Sequence, residues 1–108
     1  MRKSLLILGL LAAALPQLLA SPENPAIIAA TKTYVAANSG MTKINVAVEK
    51  VEGDFARAKV SPQDAGTADP AWVFLKKKNG KWTGLTLGTA FGPEDYQQFG
   101  IPTSLRIN

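Results

Sequence analysis

The hydrophobic and polar positions of this chain follow different spacings along its length, and each spacing predicts a different element. From Ala26 to Ala37 the apolar residues recur at helical spacing, which is typical of a helix with one buried side. Asn24 and Pro25 suit its cap and first turn, and Gly40 suits its end. We therefore predict an amphipathic helix. The residues expected on its buried side are Ile27, Ile28, Thr31, Tyr34 and Val35.

Alternation of apolar and polar residues follows the helix and predicts a first hairpin with strands over 44–49 and 55–60. Two registers are open. A two-residue loop at Gly53-Asp54 places Lys50 opposite Arg57, whereas a three-residue loop places Glu49 opposite Arg57. Like charges destabilise a cross-strand pair and opposite charges stabilise it, by about 0.2–1 kcal/mol. We therefore favour the three-residue loop.

A second hairpin is predicted around Asn79-Gly80, the dipeptide that most favours a tight type I′ turn. Its strands run over 71–78 and 81–91. The turn places Lys78 opposite Lys81 and Lys77 opposite Trp82, and continued pairing would join Phe74 to Leu85 and Trp72 to Leu87.

Because side chains alternate between the faces of a sheet, this hairpin has two partly apolar faces. The larger face is expected to pack on the helix; it comprises Trp72, Phe74, Leu85, Leu87 and Phe91. The other face comprises Val73, Leu75, Lys77 and Trp82, beside Gly84 and Gly88.

The remainder of the chain predicts a loop over 61–70, a short helix over 93–99 and a tail without regular period. The expected fold class is α+β. An N-terminal helix packs on a four-stranded antiparallel sheet made of two hairpins, and a short helix follows near the C-terminus.

The first twenty residues predict export. Arg2 and Lys3 precede an apolar run that ends on Ala20, as in a secretory signal peptide, with cleavage after Ala20. An uncleaved anchor is the alternative, because the run is just short of a bilayer span. Residues 21–108 then form a single small domain, periplasmic or extracellular, with no stable membrane anchor after cleavage.

Composition excludes several classes of function. Cys and His are both absent, which closes the disulfide route to stability and most metal sites. Removing Arg2 and Lys3 from the 12 basic residues leaves 10 against 8 acidic residues, a net charge of +2, too small to indicate nucleic-acid binding. No nucleotide-binding motif is present. We expect no cofactor and no metal.

Catalysis is not expected either, because histidine, the commonest general base, is missing. Two pairs of carboxylates remain as candidates, Asp64 with Asp69 and Glu94 with Asp95. The first pair lies in the predicted loop and the second in the first turn of a short helix, so both are interpreted as solvated surface groups.

The candidate binding surface lies on the second hairpin, which joins a second apolar face to a run of lysines. It comprises Val73, Leu75, Lys76, Lys77, Lys78, Lys81 and Trp82. The partner would be an unknown protein or an anionic envelope component. Alternatively, the lysines only prevent edge-to-edge aggregation, and the C-terminal segment covers Trp82 through Tyr96, Phe99 or Ile101. Sheet faces of this kind also allow a dimer.

A helix followed by antiparallel hairpins resembles the cystatin-like superfold, which includes domains of the nuclear-transport-factor-2 type. Cystatins inhibit cysteine proteases with a wedge that contains Gln-x-Val-x-Gly in one hairpin and Pro-Trp in the next. Here Glu49-Lys50-Val51-Glu52-Gly53 and Asn79-Gly80-Lys81-Trp82 stand at those places. The resemblance implies a protease inhibitor acting through Val51, Gly53 and Trp82, or a small carboxylate-dependent enzyme. The second half of the chain also looks like small exported bacterial domains without assigned function. Our first hypothesis is an exported, non-enzymatic binding module.

Overall fold

The computed structural model describes residues 22–64 and 69–107. The predicted signal peptide, residues 1–20, lies outside these ranges, as does the centre of the loop predicted over 61–70. Within the described ranges, neither helix has the length and apolar character needed to cross a membrane.

Helix α1 runs over Asn24–Ser39, and its start and end follow from local chemistry. Pro25 occupies the first turn, where its missing N–H costs no hydrogen bond. The cap position is Glu23 rather than the predicted Asn24, so the helix starts slightly earlier than expected. At the other end Gly40 adopts φ +78° and donates its N–H to the carbonyl of Ala36. The predicted buried side is confirmed for Ile27, Thr31 and Val35.

Four antiparallel strands form one sheet in the order β1-β2-β3-β4, as predicted from two consecutive hairpins. The strands are β1 (Ile44–Glu52), β2 (Phe55–Pro62), β3 (Ala71–Lys78) and β4 (Lys81–Gly88). A second helix, α2 (Pro93–Phe99), and a 3-10 turn (Thr103–Leu105) follow the sheet. The α+β class is therefore confirmed.

The first hairpin corrects the predicted loop. Gly53 and Asp54 form a two-residue turn with Lys50 opposite Arg57, the register we had disfavoured. A bulge at Glu49 then shifts the strand by one residue. The bulge lets the Glu49 carboxylate accept a hydrogen bond from the Arg57 Nε, 2.9 Å away. The favourable charge pair thus forms through the bulge and not through the loop.

The second hairpin has the predicted turn, with Asn79 and Gly80 both at positive φ, and the predicted Lys78–Lys81 pair. Further from the turn a bulge leaves Leu85 unpaired, so that Phe74 lies opposite Thr86. The predicted Phe74–Leu85 and Trp72–Leu87 pairs are therefore wrong by one residue. In consequence Leu85 and Leu87 pack in different clusters, on opposite faces of the sheet.

The prediction of which face packs on α1 is also wrong. Helix α1 covers the face of Val73, Leu75 and Trp82. That face carries the small residues Ala56 and Ala58, both buried, and these leave room for a helix. Size and continuity of apolar area, which favoured the opposite face, did not decide the packing.

The C-terminal segment covers the other face of the sheet, where Phe74 is fully buried. Phe91 meets the Phe74 ring edge-on at a centroid distance of 5.0 Å, and Tyr96 does so at 5.8 Å. Ile101 and Leu105 complete this cluster. The segment therefore folds back as considered above, but against the face opposite Trp82. The domain has three layers: α1, the sheet and the C-terminal segment.

Candidate functional site

Two lysines of the second hairpin form contacts within the domain. The Lys76 Nζ lies 5.2 Å from the ring centroid of Phe55. The Lys77 Nζ lies 2.8 Å from a carboxylate oxygen of Glu23 and 5.8 Å from the ring centroid of Trp82. The predicted placement of Lys77 opposite Trp82 is confirmed. Two of the four predicted binding lysines are thus occupied within the domain.

Glu23, Lys77 and Trp82 form a cluster that ties the start of α1 to the second hairpin. One Glu23 oxygen accepts from Lys77, and the other accepts from the Trp82 indole N–H at 3.1 Å. The Lys77 hydrogen bond, opposed in part by desolvation, holds the pKa of Glu23 below its ordinary value. The same bond raises the pKa of Lys77. Both groups are therefore held charged at neutral pH.

Three residues of the predicted surface belong instead to the core. Val73 and Leu75 are fully buried, and Trp82 is only 6% exposed. All three pack beneath α1, so the open apolar face predicted around Trp82 is not present in the domain. The missing information was the position of the helix, because alternation along a strand does not show which face is covered.

A groove lies beside this buried face, between α1 and β4, with a volume of about 660 Å³. Trp82 contributes to its lining, so one edge of the predicted surface does border a concavity. Small side chains of α1 form one wall, and the hairpin end of β4 forms the other. The helix residues lining it are Ala26, Ala29, Ala30, Thr33, Tyr34 and Ala37.

The Tyr34 ring lies directly over the backbone of Gly84. A Cβ atom added at Gly84 would lie 2.3 Å from the Tyr34 Cγ, closer than real Cβ contacts allow. Glycine at this position therefore sets how closely α1 approaches β4, and with it the width of the groove.

β4 is an edge strand of the sheet that the structure describes, with β3 as its only strand neighbour there. Residues flanking a two-residue turn form a hydrogen-bonded pair, and the next pair does not. Lys81 flanks the turn. The backbone N–H and C=O groups of Trp82 and Gly84 therefore point away from β3, towards the open edge. Both residues line the groove, so these backbone groups border the concavity.

The charge of the groove is positive. Lys81 is the charged side chain among its lining residues, and Lys78 lies directly opposite Lys81 on the hairpin. Both lysines are exposed, and neither forms an ion pair within residues 22–64 and 69–107. No carboxylate lines the groove.

The inhibitor hypothesis requires Val51, Gly53 and Trp82 to project from one end of the domain. The two hairpin turns do lie side by side, because the Lys77 N–H donates to the Asp54 carbonyl at 2.7 Å. Gly53 is exposed at the tip, but Val51 is half-buried against the helix-side core. Trp82 is buried under α1. Of the three residues, Gly53 alone projects as a wedge would require.

The two candidate carboxylate pairs consist of a helix cap and exposed side chains. Asp95 accepts a hydrogen bond from the Gly92 N–H at 2.8 Å and so caps α2, while Glu94 is exposed. Asp64 and Asp69 are exposed at the two ends of the loop whose centre the structure does not describe. No group of three or more potential metal ligands occurs in the part of the chain that the structure describes.

Sequence reasoning missed the helix wall of the groove. Ala26, Ala29, Thr33 and Ala37 lie on the side of α1 that faces away from the core, and all four are exposed. Their small size was a signal, because the exposed side of a helix usually carries long charged residues.

Comparisons of the chain with protein-family models, with curated proteins and with solved structures found no match. The cystatin-like resemblance stays a prediction based on the order of the elements, and function must be argued from the site itself.

Proposed function

We propose that this protein is an exported, non-enzymatic interaction module that captures a short extended segment of a partner protein in the groove between α1 and β4. The observation that carries the proposal is the free edge of β4, which opens directly onto the groove. A segment added there would receive main-chain hydrogen bonds from Trp82 and Gly84. Its alternate side chains would contact Trp82 and the small residues of α1.

The edge also limits what can bind. Proteins commonly protect free edges with charges and bulges, and β4 has Lys81 at one end of the groove and the bulge at Leu85 at the other. The regular edge between them spans Trp82, Thr83 and Gly84. The bound segment is therefore a short strand. An edge this short does not allow open-ended addition of further strands, and it favours the binding of a selected segment.

The test uses nuclear magnetic resonance on residues 21–108, which can detect millimolar binding. The probe is a capped hexapeptide of alternating threonine and valine, which offers a strand without charge. We expect shifts concentrated on Trp82, Thr83 and Gly84, and slower hydrogen exchange of the Trp82 and Gly84 amides in the complex.

The groove-blocking variant is Ala29→Arg, which places a long side chain on the exposed helix wall. The matched control is Ala47→Arg, at an exposed alanine of β1 outside the groove. We expect the first variant to abolish the shifts and the second to retain them. Peptide shifts that are spread over other surfaces, or that persist in Ala29→Arg, would contradict the proposal. So would a dimer in sedimentation that Ala29→Arg dissociates, because a second copy would then occupy the groove.

A further inference from the structure

We infer that the captured segment is acidic, with a carboxylate at the end that lies nearest the second hairpin turn. This inference rests on the proposed function and names the chemistry of its partner. The argument concerns Lys78 and Lys81, which form no ion pair among the residues that the structure describes, in contrast to Lys77.

The first step is the pairing within the hairpin. Lys78 and Lys81 lie directly opposite each other, and like charges in this position destabilise a hairpin. Lys77, in contrast, lies opposite Trp82 and pairs with Glu23 at 2.8 Å. No corresponding carboxylate approaches Lys78 or Lys81 among the described residues. An anion bound from outside would remove the repulsion between them.

The second step is the position of this positive charge relative to the groove. Lys81 belongs to the lining, next to Trp82 and Gly80. A strand paired along β4 therefore has one end against Lys81, and Lys78 lies opposite Lys81 on β3. Because no carboxylate lines the groove, an acidic segment meets attraction at that end and no repulsion elsewhere in the lining.

The third step is selectivity. Main-chain hydrogen bonds to Trp82 and Gly84 are the same for every extended segment, so they cannot choose between partners. Charge can choose: opposite charges attract the segment and like charges exclude it. Lys81 is the charged side chain in the lining of the groove, and Lys78 adds a second positive charge directly opposite it. This pair of lysines is therefore the selectivity determinant.

The experiment compares two capped hexapeptides of alternating threonine and valine, one with a terminal glutamate pair and one with a terminal lysine pair. At low ionic strength we expect the acidic peptide to bind about tenfold more tightly. Added salt should reduce that ratio, because exposed charges are screened. The variant Lys78→Gln/Lys81→Gln should bring the ratio close to one.

The matched control is Lys32→Gln/Lys43→Gln, which removes the same net charge from exposed lysines outside the groove. It should leave the ratio unchanged. Equal binding of both peptides to the unmodified protein would overturn the acidic-partner inference while leaving the groove proposal intact. If neither charged peptide bound, and the neutral peptide did not bind either, both the acidic-partner inference and the groove proposal would be overturned. Binding to phosphatidylglycerol vesicles that Ala29→Arg does not weaken would assign the two lysines to lipid headgroups and overturn the inference.

Discussion

The contact between Tyr34 and Gly84 determines how α1 seats on the sheet, and Gly84→Ala tests it directly. The added Cβ would lie 2.3 Å from the Tyr34 Cγ, 2.4 Å from its Cδ1 and 2.7 Å from its Cβ. Ordinary carbon–carbon contacts are about 3.5–4.0 Å. The Tyr34 ring would therefore have to move by roughly 1 Å or more, and the Tyr34 Cβ would have to move with it.

Overpacking of this kind costs typically 1–3 kcal/mol, and the close approach of three Tyr34 atoms places Gly84→Ala in the upper half of that range. An opposing gain of about 0.5–1 kcal/mol comes from replacing a flexible glycine within a strand. The expected net loss is about 1–2.5 kcal/mol of unfolding free energy. For a domain of this size it corresponds to a fall in Tm of roughly 4–20 °C.

The assay is urea denaturation followed by tryptophan fluorescence, with Gly88→Ala as the matched control. A Cβ at Gly88 would approach the Phe91 ring and the Ala90 carbonyl only to 3.4 Å. That variant should lose less than about 1 kcal/mol. A loss for Gly84→Ala no larger than for Gly88→Ala would refute the reasoning.

A double-mutant cycle with Tyr34→Ala identifies the cause of the loss. Tyr34→Ala removes two of the three close atoms and leaves the Cβ. Gly84→Ala should therefore cost at least about 1 kcal/mol less in the Tyr34→Ala background than in the unmodified protein. Equal costs in the two backgrounds would show that the helix does not rest on this strand as described.

Two further predictions concern the segments that close the two faces of the sheet. Because the pKa of Glu23 is lowered, its stabilising effect is present above its ordinary value of 4.5 and lost as pH falls through the folded value. Glu23→Gln should thus lower the urea midpoint at pH 7, and the difference in midpoint between this variant and the unmodified protein should become smaller in acid. If Glu52→Gln showed the same decrease in acid, the pH dependence could not be assigned to Glu23. On the other face, the Tyr96 hydroxyl donates to the Ile107 carbonyl at 2.6 Å and accepts from its N–H at 2.9 Å. Tyr96→Phe should cost about 1–3 kcal/mol in urea denaturation, and an equal loss in Tyr34→Phe would show that these hydrogen bonds are not its cause.

Elements governed by neighbouring residues could be predicted from the chain. Gly40 at φ +78° ends α1 where the pattern placed the end. Asn79 and Gly80 take the positive φ that a tight hairpin turn requires, and α2 occupies the predicted range 93–99. Each depends on a conformational preference that acts over a few residues, so no knowledge of distant contacts was needed.

The two bulges could not be predicted in the same way. Each adds one residue to a strand and exchanges the faces beyond it. In β1 the spacing of the valines changes at the bulge, because Val46, Val48 and Val51 pack against one cluster, but that spacing does not show which residue is left unpaired. At Glu49 the bulge is compatible with hydrogen bonds from both Arg57 and Trp72 to one carboxylate oxygen. At Leu85 the bulge places Leu85 and Leu87 on opposite faces of the sheet. Contacts between strands therefore settled what periodicity left open.

The candidate site also combines features that follow from local sequence with features that depend on tertiary contacts. The chain by itself determined the α+β class, the places of the two hairpin turns, the geometry of the second turn and the run of lysines beside Trp82, because turn chemistry and periodicity are local. Only the tertiary structure decided that Lys77 is paired with Glu23, whereas Lys78 and Lys81 form no ion pair within the described part of the chain. Only the tertiary structure placed α1 over Trp82 and beside the open edge of β4. The physical reason is that packing of a helix on a sheet depends on the room left by distant small residues, here Ala56, Ala58 and Gly84.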